Sequence, residues 1–297
     1  MKRITRSHIT YVFGSEQQPI ADITPGETVV FETLDALAGQ VKTHADALRV
    51  SLPPAQGNPA TGPVRVIGAQ PGGTLGVHIL DIKLGEFGYG RVKSGGVIFD
   101  ELSPPVANIT PIIDGVVHFN EHIRFPVQPM VGVVGVSPST HPVHTFYPGP
   151  HGGNMDINEA GKGSTVYLPV AVPGAMLAIG DVHASMGDGE LNGGGLDIDA
   201  EVTVQVSLHQ GLDWKWPVIE TPDAWCTCAN APSLAEAIRQ STSDMTTLLA
   251  RSLAMSREEA FILIGAAGHA RIGQAAGLDM DVTAYIRVSK DILPAVF

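Results

Sequence analysis

Three carboxylates and one imidazole fall within the eleven residues GDVHASMGDGE, Gly180 to Glu190. The remaining residues of that stretch are small or flexible, so it has little side chain of its own to bury. Gly180 ends an apolar run, which puts Asp181, Val182 and His183 at the rim of a strand. In extended backbone Asp181 and His183 point to one side, and an imidazole nitrogen beside a carboxylate oxygen is a common donor pair for zinc. Gly187 and Gly189 let the chain fold back, so Asp188 or Glu190 can reach the same ion or its water. The same residues would also serve as a surface turn, with Asp capping backbone N–H groups and His183 half-exposed.

A second cluster is YPGPHGGNMD, Tyr147 to Asp156. His151 precedes Gly152 and Gly153, which bring backbone N–H groups close to a ligand, and the Asn154 amide both donates and accepts. Such a loop can hold a developing oxyanion, although the same residues also make a good turn. We expect His151, Gly152, Gly153 and Asn154 to bind substrate. A third candidate is Asp81, which alternation places on the strand face of Leu75, Val77 and Ile79. A carboxylate ending an apolar face pairs with something or binds an ion, and we expect the ion.

Other reactive side chains stand apart from these. Cys226 and Cys228 in WCTC lie between turn signals, and we expect them in a connecting loop as structural thiols. His78 faces opposite to Asp81 on its strand, and His118, His122, His141, His144 and His269 have no partner at a telling spacing.

The elements that must position these groups are strands. Alternation marks Thr28 to Phe31, Val64 to Gly68, Thr74 to Ile82, Met130 to Val136, Thr165 to Val170 and Glu201 to Leu208. In the last, Val202, Val204, Val206 and Leu208 share one face, as in a half-buried antiparallel strand. A Pro-Gly pair opens PGETVVFETLD, PGGTLGVHILD and PGAMLAIGDVH, which suits a type II turn leading into a strand. The 34 Gly and 22 Pro are spread without a collagen-like period, again many turns between short strands. Helices are expected only late, where Ser233 with Glu236 and Ser256 with Glu259 have capping-box spacing and Leu234, Ile238, Met245, Leu248 and Leu249 form a stripe. Asp281 to Lys290 returns to alternation. The expected fold is mainly β, a jelly-roll-like sandwich or barrel body with a small C-terminal α+β element. We divide it as 1–170, a β-sandwich part; 171–232, a second β part carrying GDVHASMGDGE; and 233–297, the C-terminal element.

The 297 residues, 44% apolar and 16% charged, suit a compact body with a real core. A formal charge of −12, with no Lys/Arg cluster, argues against nucleic acid and anionic membrane as partners. The N-terminal MKRITRSHITYVFG lacks an apolar segment behind its basic residues, so a cytoplasmic location is the expectation.

The segments GPHGGNMD, GSTVYLPVAVPGAMLAIGDVHASMGDGE, GVIFDELSPP, QPMVGVVGVSP and IETPDAW resemble the acetamidase/formamidase family of amide hydrolases. The resemblance runs from GETVVFETLDALAGQ to the paired helices, and the core motifs show no clear departure. It implies a mostly β, jelly-roll-like fold, hydrolysis of formamide, acetamide or related short amides and lactams, and a divalent metal such as zinc; the cofactor expected is zinc, with room for calcium as well. Other amide-cleaving machinery is not encoded: there is no G-x-S-x-G elbow and no serine-glycine loop with an activating lysine.

The expected reaction is therefore hydrolysis of a short linear amide by a metal-activated water. Asp81, Asp181 and His183 are the expected metal ligands, with Glu190 and Asp188 as catalytic carboxylates. Glu190 is to take the water's proton and deliver it to the departing nitrogen. The partners expected are a small neutral amide and further copies of the chain, as a dimer or larger. Rival readings are a lactam hydrolase of the same family, a cupin-like metal- or sugar-binding protein, for which the H-x-H pair is missing, and a non-catalytic structural oligomer.

Overall fold

A computed structural model describes residues 1–93, 96–275 and 280–297. Nine strands form the larger sheet, in the order Lys2–Ile4, Thr28–Thr33, Ala200–His209, Thr74–Leu84, Thr165–Pro169, Val218–Glu220, Ala224–Ala231, Val282–Ser289 and His269–Ile272. All neighbours are antiparallel except the first pair. A second sheet runs Gly152–Asn154, Met130–Gly135, Leu177–His183, Ala60–Val66 and Ile9–Thr10, with Ala21–Ile23 beside Ala60–Val66. The strand Ala200–His209 keeps its apolar side in: Val202, Val204 and Val206 are buried, and the residues between them half-buried.

The two sheets face each other across one core. Val29, Phe31, Leu75, Val77, Ile79, Val204 and Val166 from the larger sheet meet Val64, Val131, Leu177, Ile179 and Val182 from the smaller. Burying each such side chain is worth about 1.5–3 kcal/mol, which fixes the register of both sheets, because a one-residue slip would turn the apolar set outward. A four-stranded sheet, Arg124–Pro126, Val116–His118, Val106–Ile113 and Phe87–Val92, stands beside this sandwich.

The helices Leu234–Ser252 and Arg257–Ala267 pack on the outer face of the larger sheet. Met245, Leu248, Leu249 and Ile264 meet Tyr167, Trp225, Ile286 and Val288 there. Ser256 and Glu259 close a full capping box, whereas at Ser233 only the side-chain cap on the Glu236 N–H is formed. The buried face of the first helix centres on Ala237, Ser241, Met245 and Leu249, and Leu234 and Ile238 lie at its half-buried edge.

The mainly β expectation thus holds, with strands where alternation put them, but helices are not confined to the end: His44–Arg49 is a short helix closed by a Thr43 and Asp46 capping box. The expected segments, however, share sheets. Strands from 1–170, 171–232 and 233–297 sit side by side in the larger sheet, and its core includes residues from Ile4 to Tyr285. Cys226 and Cys228 also need correction: they lie within the strand Ala224–Ala231 rather than a loop, both facing the inter-sheet core. Burial raises both thiols far from their reactive range.

Candidate metal centre and active site

The strand Leu177–His183 lies at the centre of the smaller sheet, between Met130–Gly135 and Ala60–Val66. Its last residues leave regular geometry. Asp181 has φ +51, so it reaches His183 from left-handed backbone and not through the extended alternation expected. Its Oδ1 is 3.5 Å from His183 Nε2. Asp156, two residues after the strand Gly152–Asn154, completes the group: one ligand atom each from Asp156, Asp181 and His183 lies within 4.8 Å of the others. All three are buried. The neighbouring strand makes room, since a Cβ on Gly132 would stand 2.4 Å from Asp156 Oδ1 and 3.1 Å from Asp181 Oδ2.

Two more carboxyls close in. Asp197 Oδ1 is 3.3 Å from His183 Nε2, and Glu190 is buried, near enough to raise the proton affinity of Asp156. Asp156, Asp181 and Glu190 all have left-handed backbone, at φ +47, +51 and +48. That conformation costs roughly 1–3 kcal/mol for a residue with a side chain and gathers at functional sites.

Four carboxyls therefore surround one imidazole. Burial, then the charges of Glu190 and Asp181, push Asp156 well above the usual carboxylate range. Burial, with Asp181 and Asp197 nearby, pushes Glu190 up to about 8, and burial raises Asp197. For His183 burial opposes charge, but the carboxylates of Asp181 and Asp197 prevail and raise it well above the ordinary histidine value. Clustered buried acids need protons or a cation. Asp156 Oδ1 and His183 Nδ1 are also buried without hydrogen-bond partners. Two carboxylates, an imidazole and a surplus of negative charge fit a divalent ion.

Two expected residues lie elsewhere. Asp81 is exposed and paired with Lys162, Nζ to Oδ1 2.7 Å. The cause is a β-bulge. Asp81 pairs with Thr203 but Ile79 with Val204, so Leu80 is extra, and every side chain beyond it changes face. Ile82 and Leu84 then pack on the core and Asp81 turns out. Asp188 Oδ2 accepts from Arg271 Nε at 2.6 Å and its Oδ1 from Asn158 Nδ2 at 2.9 Å, an ion pair that ties the C-terminal strands to the site loop.

The glycine loop is also arranged differently from the expectation. His151 stands in the wall of a separate cavity of about 750 Å³ with His144 and Tyr147, its ring edge-on to Phe13 at 5.2 Å. Burial pushes its pKa down to about 4, so it is neutral. The Gly152 N–H donates to Gly149 O, and Gly153 pairs with Val134 in the sheet. Only Asn154 reaches the acid cluster, through its Nδ2 to Asp156 Oδ2 at 2.5 Å.

Sequence reading missed Asp156, Asp197, Asn58 and Gln274. Asp156 carried a usable signal, since N-M-D, like D-V-H, sets two polar side chains one residue apart beside a glycine. The others come together only through tertiary pairing, as when Gly189 bridges to Gln274.

The acetamidase/formamidase family model matches residues 13–145 and 140–278. The chain belongs to the acetamidase/formamidase family. It is similar to a crystal structure of an acetamidase from Bacillus halodurans, at 37% identity and a TM-score of 0.94 over 98% of each chain. Among sequence relatives, a formamidase of Methylophilus methylotrophus is 26% identical over 64% of this chain and 61% of its own. An acetamidase of Mycolicibacterium smegmatis is 27% identical over 64% of this chain and 63% of its own. The chain thus spans a little over three fifths of these curated relatives. Among the described residues no helix is long and apolar enough to cross a membrane.

Proposed function

We propose that this protein hydrolyses short linear amides of the formamide or acetamide type to the acid and ammonia, at the Asp156, Asp181, His183 and Glu190 cluster. The observation that carries the reading is the set of three converging ligand atoms beside a fourth buried acid. The relatives named formamidase and acetamidase support the substrate class. Asp156, Asp181 and His183 would hold the ion. We infer zinc, because an imidazole with two carboxylates suits it, whereas calcium favours an all-oxygen shell. When bound, a divalent ion supplies Lewis acidity, lowering the pKa of water and polarising an amide carbonyl.

The chain's own groups supply the rest. Glu190 makes no side-chain hydrogen bond among the described residues, so its carboxyl is free to exchange protons. Burial raises its proton affinity, which suits a group that carries a proton to the leaving group. The departing nitrogen needs that proton, because NH2⁻ is not a viable leaving group. Asp197 Oδ1 stands 3.3 Å from His183 Nε2, the same nitrogen that faces Asp181, and adds a further acid beside the ion. Asp181 and Asp156 aim their carboxyl oxygens at the same point as His183.

An ammonia-release assay on formamide, acetamide, propionamide and a small lactam tests the reading. Turnover of the linear amides that Asp156→Ala and His183→Ala abolish is expected. Wild-type turnover in both variants would overturn the placement, and turnover of the lactam alone would overturn the substrate class.

A further inference from the structure

Asp156 has two oxygens in different situations: Oδ2 accepts from Asn154, while Oδ1 is buried without a partner and faces Gly132. Behind Asn154 stands a second amide. Asn58 Nδ2 donates to Asn154 Oδ1 at 2.7 Å, and Asn58 is 1% exposed. Its backbone is tied at both ends, N–H to Ala36 O and carbonyl accepting from Thr145 Oγ1. Asn154 is held at its backbone too, its carbonyl accepting from Gln274 Nε2 at 2.8 Å.

The order of donors in this chain has one solution. As a metal ligand Asp156 is an ionised carboxylate, which only accepts, so Asn154 must offer Nδ2 to Asp156, as it does, and is left with Oδ1 toward Asn58. Asn58 must then answer with Nδ2. We propose that Asn58 and Asn154 form a two-amide relay that positions Asp156 as a one-oxygen metal ligand through Oδ1. This rests on the reading of Asp156, Asp181 and His183 as the metal site. It makes both asparagines positioning residues and removes Asn154 from the role of substrate contact. Asn58 lies 96 positions from Asn154 in the chain, so the relay is a product of the fold.

The test is a double-mutant cycle read by metal affinity, with Co²⁺ alone titrated into the purified, metal-free full chain by calorimetry, and by the visible spectrum of the Co²⁺ form. Asn58→Asp replaces the donor with an acceptor, so Asn154 must turn its Nδ2 away and set Oδ1 against Asp156. Asn154→Ala removes the last link. Each variant is expected to weaken Co²⁺ binding by about 10- to 100-fold and to shift the Co²⁺ spectrum. Asp81→Asn, remote from the site, should leave both unchanged. Because both links act through one bond, the double variant should bind no more weakly than Asn154→Ala alone. Losses that add would show independent structural roles and overturn the relay, as would unchanged affinity in Asn58→Asp, and either result leaves the metal site standing. A wild-type chain that fails to bind Co²⁺ overturns the metal site and the relay with it. Should Asn58→Asp not fold, Asn58→Ala takes its place in the cycle: weakened, non-additive Co²⁺ binding supports the relay, and unchanged or additive binding overturns it.

Discussion

Gly132→Ala is the smallest change that should dismantle the site. Gly132 lies on the strand Met130–Gly135 across from Asp181, between the pairs Val131 with Val182 and Val133 with Gly180. The added methyl would stand 2.4 Å from Asp156 Oδ1 and 2.8 Å from the Asp181 carbonyl, where real Cβ contacts do not fall below 3.0 Å. Asp156 must therefore retreat by about 0.6 Å, against a tolerance of about 0.2 Å in metal–ligand distances. Losing one of three ligands should weaken metal binding by about 10²-fold or more, or roughly 2.7 kcal/mol. Gly132 has no positive φ, so its backbone conformation suits alanine, and the cost lies in the close approaches to Asp156 Oδ1 and the Asp181 carbonyl. Overpacking by about 1–3 kcal/mol is offset in part by about 0.4–1 kcal/mol from the stiffer unfolded chain. The expected signature is a small change in Tm with a large loss of metal. Calorimetric titration of Zn²⁺ into metal-free protein, beside a thermal melt, separates the two. Wild-type affinity in Gly132→Ala would refute the placement of Asp156 Oδ1 at the ion.

Glu190→Gln keeps size and abolishes proton transfer, so kcat should fall by about 10²-fold or more while metal content stays at the wild-type level; loss of metal instead would make Glu190 a ligand. A pH effect separate from the metal comes from Asp35, which is buried, accepts from Leu37 N–H and Tyr89 Oη, and is pushed up to about 6 by burial and by Asp199. The folded chain binds this proton more tightly than the unfolded one, so stability falls as pH rises from about 4 to about 6, by up to about 3 kcal/mol. Asp35→Asn retains an acceptor oxygen and should remove that slope; denaturant melts at pH 4 and pH 7 that differ from wild type by a constant offset would contradict it.

The sequence made some of this legible, and the limits are physical. Alternation at Glu201 to Leu208 located a strand because three valines face one core. Alternation could not see Leu80, a single extra residue set by pairing with another strand about 120 positions on, and so Asp81 was assigned to the wrong face. Ala224–Ala231 reads as loop because TPDAWCTCANAP sets it between turn signals, yet both its neighbours in the sheet pair with it, and tertiary context overrides local signals. Asp181, His183 and Glu190 were legible because they are close in sequence. Asp156 joins them only when Gly152–Asn154 pairs with Val133 to Gly135, a contact that spacing along the chain does not encode.

The central claim is that a divalent ion at Asp156, Asp181 and His183 is needed to cleave a short amide. Metal-free protein, verified by elemental analysis, should release no ammonia from formamide or acetamide, and a single equivalent of Zn²⁺ should restore the activity in the wild type but not in Asp156→Ala. Full activity in the verified metal-free protein would contradict the account.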